Sequence, residues 1–253
     1  MEWNEPLYHV GTGEQGRTGV LVSHGYSGSP RAVQEWALSL ADAGYTVALP
    51  LLDGHGLTPE AMESSRWTDW TEDVEGAYTW LRERTDEVFT SGLSMGGALA
   101  LWLAERHPEI AGVITVNASV RDPRELLIRF LGRMGLPPWV KAIGNDIMMP
   151  GVDEKAYDRV PTRSALQLVR LQSIVRKNLH LVCCPALLFS SVTDHLVPPA
   201  NQQEIFEGIS SKSKALVKLK NSHHVATMDG DRELIFAKTI EFVAAHSSRG
   251  RRA

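Results

Sequence analysis

Short, almost wholly apolar runs alternate along this chain with longer amphipathic stretches. Gly19-Val20-Leu21-Val22, Tyr45-Thr46-Val47-Ala48-Leu49-Pro50, Glu87-Val88-Phe89-Thr90-Ser91, Gly112-Val113-Ile114-Thr115-Val116, Pro185-Ala186-Leu187-Leu188-Phe189-Ser190 and Ala215-Leu216-Val217-Lys218-Leu219 have the length and composition of strands buried on both faces. Between them, helical spacing sets Val33, Trp36, Ala37 and Leu40 on one face of a helix opened by Pro30. A second helix, Trp67 to Arg84, carries Trp70, Val74, Ala77, Tyr78 and Leu81 on one side, a core stripe. A third runs from Met95 to about His107 before Pro108, and a fourth from about Arg232 to His246. Strands alternating with helices predict an α/β fold with a mostly parallel sheet flanked by helices.

The rhythm stops from Ser119 to about Leu181. Leu126, Leu127, Phe130, Leu131 and Met134 mark an amphipathic helical piece, and Pro137-Pro138 and Pro150-Gly151 break the segment. With Trp139, Ile143, Ile147, Met148 and Met149 it is rich in large apolar side chains. An insertion of this kind between two strands reads as a small cap over a site at the sheet edge. The expected organisation is a core of 1–118 and 182–247, a cap of 119–181, and a disordered polar, basic tail of 248–253. No internal repeat is present.

The glycine-bearing loops set the chemistry. Gly11-Thr12-Gly13-Glu14-Gln15-Gly16 matches a dinucleotide fingerprint as text, but it leads into a strand instead of leaving one for a helix, so it reads as a glycine-rich hairpin turn. Ser23-His24-Gly25-Tyr26-Ser27-Gly28 follows the strand at 19–22, at the end where open α/β sheets place ligands. His24 reads as a structural tie for this loop. Asp53-Gly54-His55-Gly56 is a tight loop near the same edge, with His55 more suited to loop architecture than to the site.

Gly92-Leu93-Ser94-Met95-Gly96 lies between a strand and a helix. This is the arrangement of a nucleophile elbow, in which a sharp turn lifts a serine above the strand end while glycines two before and two after leave room. A serine hydroxyl needs a base to take its proton, and an imidazole needs a carboxylate to fix its tautomer. On this fold the chain order is serine, acid, histidine, each after a different strand. Ser94, Asp194 and His224 satisfy that order. Asp229 and Asp231 sit too soon after the histidines and suit the start of the last helix. Spacing alone does not choose between His223 and His224, although only one of two neighbouring side chains can reach Ser94. The backbone N–H groups of Tyr26 and Met95 are the candidate oxyanion donors.

Composition narrows the setting. The chain has 253 residues, 26 Lys and Arg against 30 Asp and Glu, and a net charge of −4, with no footprint for nucleic acid. The first residues lack a signal-peptide pattern, and no apolar run approaches the roughly 18 residues that would span a bilayer, so a cytoplasmic location is expected. The two cysteines, Cys183 and Cys184, are adjacent; neighbours rarely make a structural disulfide, and they read as buried residues at the start of a strand.

These stretches together resemble the bacterial monoacylglycerol lipases and related small carboxylesterases of the α/β-hydrolase superfamily. The resemblance rests on His24 to Gly28, Gly54-His55-Gly56, Gly92 to Gly97, Pro161-Thr162, Asp194 to Pro199 and Asn221 to Asp229. It implies that His224, the histidine before Val225, is the base and that His223 replaces an aromatic residue. Tyr26 stands where the family often has Phe, a change of little consequence if the backbone N–H acts. The run Gly151-Val152-Asp153-Glu154-Lys155-Ala156-Tyr157 resembles a segment whose Glu helps recognise a glycerol head group, which implies that role for Glu154; the same residue could be a solvated carboxylate at a helix start. Ile143 corresponds to an apolar cap residue near the glycerol end of a tunnel. The implied activity is hydrolysis of monoacylglycerols through an acyl-serine, without metal or organic cofactor. The alternative is a general carboxylesterase for short- to medium-chain esters. The expected partners are a small-molecule ester and, at most, transient contact with a membrane surface, for a monomer or homodimer.

Overall fold

The structure, a computed structural model, describes residues 4–134, 136–142 and 144–248. Nine strands are described: β1 (Leu7–His9), β2 (Thr18–Ser23), β3 (Thr46–Leu49), β4 (Glu87–Leu93), β5 (Gly112–Val116), β6 (Trp139–Lys141), β7 (Arg159–Pro161), β8 (Ala186–Ser191) and β9 (Lys214–Leu219). Between them run α1 (Gln34–Asp42), α2 (Trp67–Arg82), α3 (Met95–Arg106), α4 (Glu125–Met134), α5 (Thr162–Asn178), α6 (Ala200–Gly208) and α7 (Arg232–His246). The main sheet has the order β1-β3-β2-β4-β5-β8-β9. All of its pairings are parallel except that of β1 with β3. A mostly parallel sheet with helices on both faces is the architecture that the rhythm of strands and helices predicts.

Burial on both faces explains why β2, β3, β4, β5 and β8 are mainly apolar, whereas β1 and β9, at the two sheet edges, are largely half-buried or exposed. Leu21, Val88, Val113 and Leu188 point into one core, closed by α2, α3, α5 and α6. Their neighbours Val20, Val22, Phe89, Ile114 and Phe189 point into the other, closed by α1 and α7. Adjacent residues serving opposite cores are the period of two that defines a strand. The second core is also pinned by a polar tie, Trp36 Nε1 donating to Thr239 Oγ1 at 3.2 Å.

The segment 119–181 is not uniform. Its first part leaves the sheet: α4 exposes Leu126, Leu127 and Phe130, and β6 and β7 form a separate antiparallel pair. Its last helix, α5, returns to the body of the molecule, where Leu171 and Val175 join the core beneath α3. Helical periodicity identified the amphipathic face but carried no signal of which elements would cover it.

Two expectations are corrected. The 11–16 stretch is not a hairpin turn, because β1 pairs with β3 and not with β2. Its glycines permit close backbone approach: a Cβ on Gly11 would lie 2.2 Å from Gly44 O, and Thr12 N donates to that same carbonyl at 3.2 Å. The cysteines are not buried at a strand start. They lie in the bend before Ala186, with Cys183 exposed and Cys184 half-buried. Among the described residues no helix is long and apolar enough to cross a membrane.

Candidate active site

β4 lies between β2 and β5, and its C-terminal end passes directly into α3 through Ser94. Ser94 has φ 58° and ψ −117°, a conformation that costs a residue with a side chain on the order of 1–3 kcal/mol. The surroundings hold it there. Ser94 N donates to Val116 O at 2.9 Å, and Ser119 N donates to Ser94 O at 3.1 Å. The turn also requires its glycines: a Cβ on Gly92 would lie 2.2 Å from the Gly96 backbone, and one on Gly96 would lie 2.1 Å from Ser23 O. The result is a half-buried serine hydroxyl lifted above the sheet edge.

Asp194 follows β8 and His224 follows β9. His224 Nδ1 and Asp194 Oδ2 are 2.8 Å apart, with the two side chains only 7% and 2% exposed. The other carboxylate oxygen accepts from Leu196 N at 2.9 Å and Val197 N at 2.8 Å, which fixes its orientation. With Nδ1 donating to the carboxylate, Nε2 carries the imidazole's free lone pair. Burial disfavours charge on His224, but the Asp194 hydrogen bond and charge, with Glu154 and Asp146 beyond, outweigh it and raise its pKa above the ordinary 6.5. His223 turns away, its Nδ1 lying 3.4 Å from Asp146 Oδ1. Of the two histidines, His224 is the one that meets the acid.

Ser94, Asp194 and His224 line one cavity of ≈ 490 Å³, together with Gly25, Tyr26 and Glu154. Its walls include Leu127, Ile128, Leu131, Val140, Leu168 and Val197, an apolar lining contributed mainly by 119–181. Met95 opens α3, so its N–H is one of the helix-terminal donors without an intrahelical acceptor. Gly25 packs against the serine, with a Cβ there 3.3 Å from Ser94 Cβ, and so brings the Tyr26 backbone beside it. The tyrosine ring is held elsewhere, its hydroxyl donating to Ser164 Oγ at 3.1 Å.

Neither His24 nor His55 lines that cavity. His24 Nδ1 donates to Gly25 O at 3.0 Å, while its Nε2 accepts from Leu52 N at 3.2 Å. It therefore ties the two βα loops together as a neutral imidazole. Burial, reinforced by His55, lowers its pKa to about 3; burial likewise lowers that of His55 to about 4.

Glu154 is no solvated helix-start carboxylate. It lies outside any helix or strand, 7% exposed, with Oε1 accepting from Asn145 N at 2.8 Å and its own N–H donating to Asn145 Oδ1 at 3.0 Å. Burial is the main cause raising its pKa. Ile143 lies outside the described residues.

The family model described as serine aminopeptidase, S33 matches residues 14–231. The chain belongs to this family. It is thus a serine hydrolase by descent as well as by geometry. This S33 chain is 45% identical to a thermostable monoacylglycerol lipase of Bacillus sp. (strain H-257) over 243 residues, 96% of this chain and 95% of the relative. It is 26% identical to a carboxylesterase of Bacillus subtilis (strain 168), across 90% and 93% of the two chains. A solved structure of a metagenome-derived lipolytic enzyme superposes with a TM-score of 0.92 at 44% identity, covering 97% of this chain and 99% of that one.

Three positions in this S33 chain frame the site in roles that its sequence did not announce. Asn117, at φ 46° after β5, donates through Nδ2 to Ser191 Oγ at 2.9 Å and His224 O at 2.8 Å, and accepts from Ser191 N at 2.8 Å. It joins the strand of the acid to the loop of the base. Asp229 is fully buried; its carboxylate accepts from Met148 N at 2.7 Å, Met149 N at 3.0 Å, His223 N at 2.9 Å and Gly230 N at 2.9 Å. It is thus an anchor between segment 119–181 and the histidine loop, whereas Asp231 does immediately precede α7 as expected. Asp146 accepts from His195 N at 3.1 Å and His224 N at 3.2 Å. The only sequence signal for Asn117 was a short polar side chain directly after a buried strand, where αL conformations and side-chain ties to backbone are common.

Proposed function

We propose that the chain hydrolyses monoacylglycerols to fatty acid and glycerol, with Ser94 as nucleophile, His224 as general base and acid, and Asp194 as its orienting carboxylate. His224 Nε2 takes the proton of Ser94 Oγ as the oxygen attacks the ester carbonyl. Asp194 holds the Nδ1 tautomer and stabilises the imidazolium. The developing oxyanion meets the N–H groups of Tyr26 and Met95; removing one such donor costs on the order of 10²–10³ in kcat. Collapse of the tetrahedral species expels glycerol, protonated by His224, and leaves an acyl-serine. Water activated by the same imidazole then releases the acid.

The observation that carries this reading is the sharing of one cavity by Ser94, the Asp194–His224 pair and Glu154, against an apolar wall. An acyl chain fits that wall. A buried carboxylate suits the hydroxyl groups of glycerol and has no use for a methyl leaving group. In this reading 119–181 caps the site on a core of 1–118 and 182–247, and the enzyme is cytoplasmic, acting as a monomer or homodimer. It meets lipid surfaces only transiently, through the exposed apolar side chains of α4.

The test is kcat/KM for 1-decanoylglycerol against methyl decanoate, with an aminoacyl 4-nitroanilide as a third substrate because of the family's description. Faster cleavage of the glycerol ester and no cleavage of the anilide are expected. Equal or faster cleavage of the methyl ester would assign the site to a general carboxylesterase, the reading favoured by its relative from Bacillus subtilis.

A further inference from the structure

Asp146, His195 and His223 come from three separate segments: the connection between β6 and β7, the loop after β8, and the loop after β9. One ligand atom from each lies within 4.8 Å of the others. His195 Nδ1 is 2.8 Å from Asp146 Oδ1, and His223 Nδ1 is 3.4 Å from the same oxygen. The two imidazoles meet edge to face, with centroids 4.6 Å apart and planes at 84°. None of these three side chains touches the reacting atoms in the ester chemistry derived above, although Asp146 helps to raise the pKa of His224.

We propose that Asp146, His195 and His223 form a binding site for a divalent transition-metal ion, of which zinc is the type, beside the triad and distinct from it.

Two imidazoles and one carboxylate are the donor set that suits zinc, copper or nickel, and they do not suit magnesium or calcium, which take oxygen ligands. Zinc lies about 2.0–2.2 Å from such ligands in a tetrahedron, so ligand atoms sit roughly 3.3–3.5 Å from one another. The His223–Asp146 separation already has that value. The His195–Asp146 separation must open by about half an ångström, and the His195 side chain is 58% exposed and has room to turn. Asp146 is preset for the task. Its second oxygen is occupied by His195 N and His224 N, which leaves Oδ1 facing the two rings. Its own carbonyl accepts from Val225 N at 3.1 Å, so the backbone that carries it is fixed as well. Three protein ligands leave the fourth position to water. As the ion binds, the proton on His195 Nδ1 is replaced by the metal and the neutral imidazole carries its proton on Nε2, facing solvent.

The site's place gives it a consequence. His195 adjoins Asp194, His223 adjoins His224, and Asp146 belongs to segment 119–181. A bound ion cross-links all three, clamping that segment onto the loops that bear the acid and the base.

The test is calorimetric titration of the full-length, tag-free protein with zinc chloride, beside melting curves with and without zinc. Wild type should bind one ion and gain about 5–10 °C in Tm at a hundredfold excess over Kd. His195→Ala and His223→Phe should each weaken binding at least about tenfold, the loss expected for a disrupted ligand set. Ser94→Ala should bind as wild type does, and calcium should produce no shift. Cobalt(II) should give a visible absorption band in wild type that both histidine variants lose. Circular dichroism checks the fold of each variant; His195, being exposed, is the safer substitution and decides the matter if His223→Phe is unstable. No saturable binding up to millimolar zinc would overturn the proposal. So would binding that both histidine variants retain, or binding lost on His224→Ala but kept in His195→Ala, which would put the ion on the triad itself.

Discussion

Glu154 offers the sharpest separation of head-group recognition from catalysis. One of its carboxylate oxygens is committed to Asn145 N at 2.8 Å. The other, Oε2, faces Gly28, 3.5 Å from where a Cβ would stand on that residue. That oxygen is the one a glycerol hydroxyl can use. A hydrogen bond to a charged group contributes about 1.5–3 kcal/mol, and one to a neutral group about 0.5–1.5 kcal/mol. Glu154→Gln keeps an acceptor for Asn145 N but puts an NH2 donor where Oε2 stood, so the glycerol oxygen must accept where its hydroxyl donated and the charge is lost; kcat/KM for a monoacylglycerol should fall by about 5- to 12-fold, from a loss of about 1–1.5 kcal/mol. Glu154→Ala removes the whole interaction, and the expected fall is about 10- to 150-fold. It also orphans Asn145 N next to Asp146, so some loss will be common to all substrates. The methyl ester of the same acid reports that common part. In the Gln variant its kcat/KM should stay within about twofold of wild type. The assay is release of fatty acid from matched 1-decanoylglycerol and methyl decanoate by both variants and wild type. If the Gln variant slows both substrates equally, Glu154 shapes the site and does not read the head group.

Asp194→Asn should lower kcat by about 10⁴, since the amide can stabilise the wrong imidazole tautomer. His224 must be neutral to act, and its pKa is raised above 6.5 chiefly by Asp194 working against burial. The wild-type acid limb of kcat/KM should therefore lie above pH 6.5 and move to lower pH in the Asn variant; an unmoved limb would contradict the assignment. Asp229→Ala strands four backbone donors around a buried position and should cost roughly 3–5 kcal/mol, read as a fall of about 6–20 °C in Tm by calorimetry. Acid should destabilise the fold through His24 and His55, whose pKa values lie at about 3 and about 4. Both are depressed below the unfolded 6.5, so the stability they contribute is complete above pH 6.5. It is lost as pH falls, at about 1.4 kcal/mol per pH unit for each, down to about pH 4 for His55 and about pH 3 for His24. Urea midpoints measured from pH 7 to 4 should show that slope, and a flat profile would refute it.

The apolar runs were legible because strands covered on both faces are mostly apolar, their few polar side chains being small ones such as Thr90 and Ser91 that hydrogen-bond to backbone carbonyls. Six of the seven sheet strands lie within two residues of their expected limits at both ends. β4 extends two residues further, to Leu93, because strand geometry continues up to the elbow. β1 escaped notice because it is three residues of mixed polarity at the sheet edge. The elbow and the candidate triad were legible because local sterics and strand order constrain them: Gly92 and Gly96 have no substitute at 2.2 and 2.1 Å from backbone. Asp146 and Asp229 were not legible. The contact of Asp146 with His195 spans 49 residues and that of Asp229 with Met148 spans 81, and nothing in a lone aspartate announces a contact that the fold alone creates. The choice of His224 over His223 came from resemblance, and the 2.8 Å contact with Asp194 agrees with it. The segment 119–181 was legible as an interruption of the strand rhythm, but not the return of α5 to the core.

The most direct measurement is intact and peptide mass spectrometry of wild type and Ser94→Ala after exposure to a fluorophosphonate, with monoacylglycerol turnover followed in parallel. One adduct on the peptide that carries Ser94, no adduct in the variant, and turnover lost in a variant that melts like wild type is the expected result. Near-wild-type turnover by Ser94→Ala, or an adduct on another residue, would contradict the assignment of Ser94 as the nucleophile.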